Sequence, residues 1–211
     1  MKTKFIGLIA LCLMLSTTLF AVDYPTVMNE NIGKMYQTTS ADTLTSLAAS
    51  FERISQIAPG EWLPYYYSAY CYVSITFTYK DADRTDANLD KAQVYLDKAL
   101  AINERESELY VLQALLHSMR ITNAGRGYKY STLSNEALSK AEALNPNNPR
   151  IYFCKGQNVM NTPAMFGGGK DKALLLFEKS KSLFESQTPT NALMPMWGQR
   201  PLDQLIADCK K

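Results

Sequence analysis

Four segments of the chain repeat one side-chain spacing, and that repetition limits the fold more than any other feature of the sequence. Each carries a small or apolar residue, an apolar or aromatic residue four later, and a small or apolar residue three after that. They are Leu47, Phe51, Ile54; Ala92, Leu96, Ala99; Ser134, Leu138, Ala141; and Ala173, Phe177, Ser180. Five residues beyond the third member stand Pro59, Glu104, Pro146 and Glu185, and six beyond that an aromatic opens the next helix at Tyr65, Tyr110 and Tyr152. A second face runs from each tyrosine at three, four and seven positions on: Ser68, Ala69, Tyr72; Gln113, Ala114, His117; Lys155, Gly156, Val159. Such spacings line up one side of a helix. The small residue at the fourth position lets a neighbouring helix approach, and the aromatic one turn earlier fills the wider gap beside the contact. The repeating unit is therefore a pair of antiparallel helices.

These residues give the chain a pattern that resembles the tetratricopeptide repeat family, in which a helix with W-x2-L-G-x2-Y precedes a helix with A-x3-F and a closing Pro. The resemblance covers about residues 41 to 185 and is best at Tyr152, Gly156, Ala173 and Phe177, and at Ala92, Leu96 and Ala99. The opener is Tyr where the family prefers Trp, and the family's Leu position holds Ser68, Gln113 and Lys155. Equivalent positions Leu47, Ala92, Ser134 and Ala173 lie 45, 42 and 39 residues apart, against about 34 in the family, so the helices or their turns must be longer. The resemblance implies an all-α fold, a right-handed helix-pair solenoid of about four antiparallel pairs with a C-terminal extension. The register places helices at 27–39, 42–58, 61–79, 87–102, 106–122, 131–144, 149–161 and 170–185, and nothing asks for a strand. The tail, 186–211, carries Pro189, Pro195 and Pro201 and a short amphipathic stretch from Leu202 to Ala207.

The N-terminus adds a destination. Lys2 and Lys4, the apolar run Phe5 to Leu15, and small polar residues before Ala21 have the layout of a secretory signal peptide over residues 1–21, leaving 22–185 as the repeat domain. The whole chain has 22 Lys plus Arg and 20 Asp plus Glu; losing Lys2 and Lys4 balances the charges at 20 each. A neutral chain lacks the cationic surplus that nucleic-acid or anionic-membrane binding needs, and no later stretch has the 18 to 20 apolar residues of a membrane span. The sequence thus predicts an exported protein, periplasmic or secreted. Cys71, Cys154 and Cys209 remain, too widely spaced for a disulfide framework or metal knuckle. The first two read as small buried hydrophobes, and one disulfide is open to any pairing.

In stacked helix pairs the first helix lines the concave side. Positions one, five, eight and nine past its opening aromatic face the groove: Tyr66, Tyr70, Val73, Ser74; Val111, Leu115, Ser118, Met119; Phe153, Gln157, Met160, Asn161. Largely apolar, they do not suit the acidic chain termini that the family's chaperone-binding members take with Lys, Arg and Asn. Two apolar occupants compete. One is a partner peptide or helix anchored on Tyr66, Tyr70 and Phe153. The other is the chain's own tail, with Leu193, Met194, Met196, Trp197, Leu202 and Leu205. In the run Tyr65, Tyr66, Tyr67, Tyr70, Tyr72, at most two side chains share the groove and the others pack between repeats.

The turns within pairs read as long loops, Thr78–Asp86, Thr122–Tyr130 and Asn161–Gly169, with Gly125, Arg126 and Gly127 in one and Phe166, Gly167, Gly168, Gly169 and Lys170 in another. The last is not a phosphate loop: Ala164 and Asp171 stand where Gly and Ser or Thr are required. Arg126, Phe166 and Lys170 are edge candidates, with Phe166 expected to plug the end of the core. Asp81, Asp83 and Asp86 lack the Gly and Glu of a calcium loop. The single His117 reads as a packing residue, without the partners for metal or nucleophile chemistry, so no catalytic residue, metal or cofactor is expected. Three functions follow. Foremost is a non-enzymatic scaffold docking a protein segment in its apolar groove. An accessory ligand-binding subunit of an envelope solute transporter comes next. A hydrolase using Glu104 and Glu108, four apart on a helix, is the least favoured.

Overall fold

A computed structural model describes residues 23–79, 81–187 and 191–211; the signal-peptide expectation lies outside them. The described residues form helices α1 (Tyr24–Gln37), α2 (Ala41–Ile57), α3 (Leu63–Ile75), α4 (Ala82–Ile102), α5 (Ser107–Met119), α6 (Ala124–Leu144), α7 (Pro149–Asn161), α8 (Lys170–Ser186) and α9 (Leu202–Cys209), with single 3₁₀ turns at Thr76–Thr78 and Ala164–Phe166 and no strand. The first eight make four antiparallel pairs. Each later first helix packs on its own partner and on the pair before it, and α9 packs on α8. The chain is an all-α helix-pair solenoid.

Local chemistry sets the helix starts. Pro lies in the first turn of α1, α3 and α7, where its missing N–H costs nothing. Ser40 Oγ accepts the Thr43 N–H, an Asp81 carboxylate oxygen the Arg84 N–H, and Asn148 Oδ1 the Arg150 N–H, each satisfying an orphan donor. Two expected long turns are in fact short. Capped by Asp81, α4 starts at Ala82, five residues before the expected 87, and α6 begins at Ala124 rather than 131. The extra repeat length therefore sits in second helices of 21 residues. Gly125, Arg126 and Gly127 open α6 instead of forming a loop. Arg126 grips Asp86 of α4 with two hydrogen bonds, at 2.8 and 2.9 Å, which offsets the helix cost of about 1 kcal/mol per glycine.

The repeat register explains the packing. Phe51, Leu96, Leu138 and Phe177 are all fully buried, as are Ala69 and Ala114 from the facing helices. The opening tyrosines have a polar duty too: Tyr110 donates to the Glu104 carbonyl and Tyr152 to the Pro146 carbonyl, both at 2.9 Å. These are the equivalent helix-end positions of two repeats, so the hydroxyl that distinguishes Tyr from Trp ties each helix to the turn before it. Tyr72 stacks on Tyr95 and Tyr67 on Phe51, between helices. The core falls into two clusters, one spanning α1 to α5 and including Leu193, the other spanning α5 to α9 and including Leu202 and Cys209.

Gly156 marks a close approach of α7 to α8. A Cβ there would lie 2.5 Å from Phe177 Cε1, well inside contact distance. Gly156→Ala is expected to destabilise the fold by about 1–3 kcal/mol through overpacking, read as a lower urea midpoint, and Phe177→Leu in the same chain to recover part of that loss.

Candidate functional site

The groove expected from the register would be lined by Tyr66 and Tyr70 on α3, Val111 and Leu115 on α5, and Phe153, Gln157 and Met160 on α7. The structure lays the chain's own tail against Tyr66, Tyr70 and Phe153 of this set. Residues 191–201 run from the first core cluster to the second as a strap without α-helix. Leu193 is 6% exposed and Leu202 1%, so both ends are anchored. The strap then meets a row of tyrosine hydroxyls: Tyr67 donates to the Leu193 carbonyl (2.7 Å), Tyr36 accepts the Met196 N–H (3.0 Å), and Tyr66 accepts the Trp197 indole N–H (2.8 Å). Burial pushes the pKa of Tyr36, Tyr66, Tyr67 and Tyr70 upward, so each stays a neutral phenol.

Trp197 is the centre of the contact. Its ring stacks on Tyr70 at 5.7 Å and 17°, and meets Phe153 edge-on at 6.0 Å and 76°, the two geometries aromatic rings prefer. The Arg150 guanidinium lies 5.6 Å from its centroid. Arg150 also donates to the Pro195 carbonyl of the strap and, at 2.9 Å, to Glu108. The Arg150 and Glu108 side chains are 7% and 6% exposed. Asn148 adds a hydrogen bond to Glu108 and another to Ser107. Among the described residues, Arg150 Nε and Glu108 Oε2 find no partner.

Of the groove residues singled out from the sequence, Tyr66, Val111 and Phe153 are buried, and Tyr66 and Phe153 touch the strap directly. Tyr70, Leu115, Gln157 and Met160 are partly exposed. A peptide seated on Tyr66 and Phe153 would have to displace the strap. Beside the strap, Met35, Tyr36, Thr38, Leu44, Tyr70 and Phe77 help line a cleft of about 470 Å³, within the size range of small-molecule sites. The edge candidates do not join the groove. Arg126 is committed to Asp86. Lys170 is exposed at the start of α8. Phe166 is not a core plug: it is 73% exposed beside Met165 at 84%, because its turn closes on itself through hydrogen bonds from the Phe166 and Gly168 N–H groups to the Pro163 carbonyl. The Glu104 and Glu108 carboxylates do not form a pair, since Glu108 turns to Arg150 while Glu104 stays exposed.

Sequence reasoning missed Arg150 as a partner for Glu108, although a signal existed. Both stand two residues before an opening tyrosine, Tyr110 and Tyr152, so adjacent repeats bring opposite charges together. It also missed Tyr36. His117 is partly buried and contacts Gln113 at 3.1 Å through Nε2, and burial lowers its pKa. All three described cysteines are unpaired and buried, and burial pushes the Cys154 thiol up to about 12.

Four helix pairs crossed by a C-terminal strap define an all-α helical-repeat protein. No protein-family model matches the chain, and no curated protein does. Among solved structures it is similar to the HusA haemophore from Porphyromonas gingivalis, at 34% identity over 90% of this chain and 94% of that one, with a TM-score of 0.81. The chain belongs to the same family as that protein. It also shares its fold with TTC0263, a thermophilic TPR protein in Thermus thermophilus, at 15% identity over 89% and 81% of the chains and a TM-score of 0.63.

Glu108→Leu leaves the Arg150 cation buried beside apolar groups and is expected to cost about 3–5 kcal/mol, whereas Glu108→Leu combined with Arg150→Met restores most of it. Urea unfolding of the two single variants and the double variant measures the coupling.

Proposed function

We propose that the protein is an exported, non-enzymatic capture protein for haem or a closely related flat ring, held on the aromatic wall beneath the strap. The observation that carries the reading is the clustering of Tyr36, Tyr66, Tyr70 and Phe153 beneath the strap, in a chain in the family of a haemophore. A flat ring with apolar faces gains stacking on such a wall, about 0.5–1.5 kcal/mol per aromatic contact beyond area burial. The cleft bordered by Tyr36 and Tyr70 gives it a way in. Export is supported by the N-terminal sequence, and the balanced charge speaks against nucleic acid as the cargo.

The protein-docking reading keeps one specific support, the exposed pair Met165 and Phe166 at the outer turn of the last repeat. In this reading they contact a partner while the groove holds the ring.

Haemin added to the purified protein is expected to bind with a saturable change in its absorption spectrum. Tyr70→Ala should weaken binding by about tenfold, the equivalent of one stacking contact, while Ile57→Ala, at a residue 86% exposed, leaves it unchanged. No spectral change at stoichiometric haemin overturns the reading. His117→Ala is expected to bind haemin as the parent does, because His117 faces Gln113 and Tyr130 rather than the strap; loss of binding in that variant would assign recognition to the imidazole instead.

A further inference from the structure

The strap closes the wall on which the ring is proposed to stack, and the way it closes it resembles ligand recognition. Trp197 is a flat heteroaromatic ring with a stacked floor in Tyr70, an edge-on wall in Phe153, a hydrogen-bond acceptor in the Tyr66 hydroxyl and a guanidinium over its face. Few of these contacts belong to an apolar core. We propose that Trp197 is an internal placeholder: the cargo is a planar aromatic carboxylate that displaces residues 194–198, stacks on Tyr70 in place of the indole, and binds its carboxylate to Arg150. This rests on the reading of the protein as a ring-capture protein and names the part of that site which selects the ligand.

Three further observations support displacement. The segment is a loop between fixed points, since Leu193 and Leu202 stay in the two core clusters while Met196 between them is 59% exposed. Gly198 at its end has φ +98°, a conformation other residues rarely adopt, which makes it a natural pivot. Most directly, Arg150 is buried yet under-used. One of its donors meets only the neutral Pro195 carbonyl, and Nε has no partner among the described residues. A carboxylate arriving where the carbonyl leaves would receive charge-assisted bonds, which are shorter and about twice as strong, and gives the guanidinium a further acceptor. Glu108 already balances the Arg150 charge and fixes its position, so the guanidinium acts as a preset fork.

A ligand that must evict an internal occupant binds more weakly by the fraction of molecules in which the site is open. Trp197→Ala is therefore expected to bind haemin about tenfold or more tightly than the parent chain, by absorption titration. If the indole is instead a permanent wall, the same variant binds equally or more weakly, and the proposal is overturned. A measurement on the unaltered protein guards against a folding defect in that variant. Haemin should speed hydrogen exchange at the Met196 amide, now bonded to the Tyr36 hydroxyl; slower or unchanged exchange there overturns the proposal. Haemin dimethyl ester, which has the ring without the free carboxylates, should bind the parent chain about tenfold more weakly, and equal affinity removes Arg150 from the site. If haemin binds neither chain, ring capture fails and this proposal with it. If haemin binds the parent but Trp197→Ala binds no tighter, only the placeholder fails.

Discussion

One guanidinium joins parts of this chain that the repeats alone would leave separate. Arg150 starts α7, its ion-pair partner Glu108 starts α5, and its remaining contacts reach the Pro195 carbonyl and the Trp197 ring of the strap. Burying two charges costs several kcal/mol per ion, and their attraction offsets this only when geometry and additional hydrogen bonds are good. Asn148 supplies one such bond. The pair therefore contributes register more than net stability: it fixes one repeat against the next and sets the strap at a single height across the groove. Beside it the Trp197 ring lies stacked on Tyr70 and edge-on to Phe153.

The helix pairs were legible in the sequence because stacking repeats leaves a periodic record. The small residues Ala69, Ala114 and Gly156, the bulky Phe51, Leu96, Leu138 and Phe177, and the opening tyrosines occupy the places their spacing requires. What the record did not carry was the boundary between turn and second helix. Gly125 and Gly127 read as loop residues by intrinsic preference, but the Arg126 grip on Asp86, 40 residues away, overrides a local penalty that no local pattern could have weighed against it. The same holds for Phe166, whose exposure follows from a turn that closes on its own backbone.

The groove was legible as a surface and not as a site. The spacing could name Tyr66, Tyr70 and Phe153, the three that meet Trp197 of the tail. It left the chain's own tail and a peptide as rival occupants, and the structure has the tail in place. Which tail residue matters is a three-dimensional fact: Trp197 lies 131 positions from Tyr66, and no periodicity links them. A stacked indole is a closer chemical analogue of the proposed flat ring than of a peptide backbone.

The turn that closes the last repeat is built with almost no freedom. Gly167 and Gly169 have φ of +88° and +121°, and a Cβ on Gly168 would fall 1.8 Å from the Thr162 carbonyl oxygen. Three consecutive glycines usually mean slack, yet here their lack of side chains is what allows a tight knot of backbone. Met165 and Phe166 are consequently carried on a stiff prow at the corner of the solenoid. Whatever surface settles there meets a shape already set, and little conformational entropy is left to lose on contact.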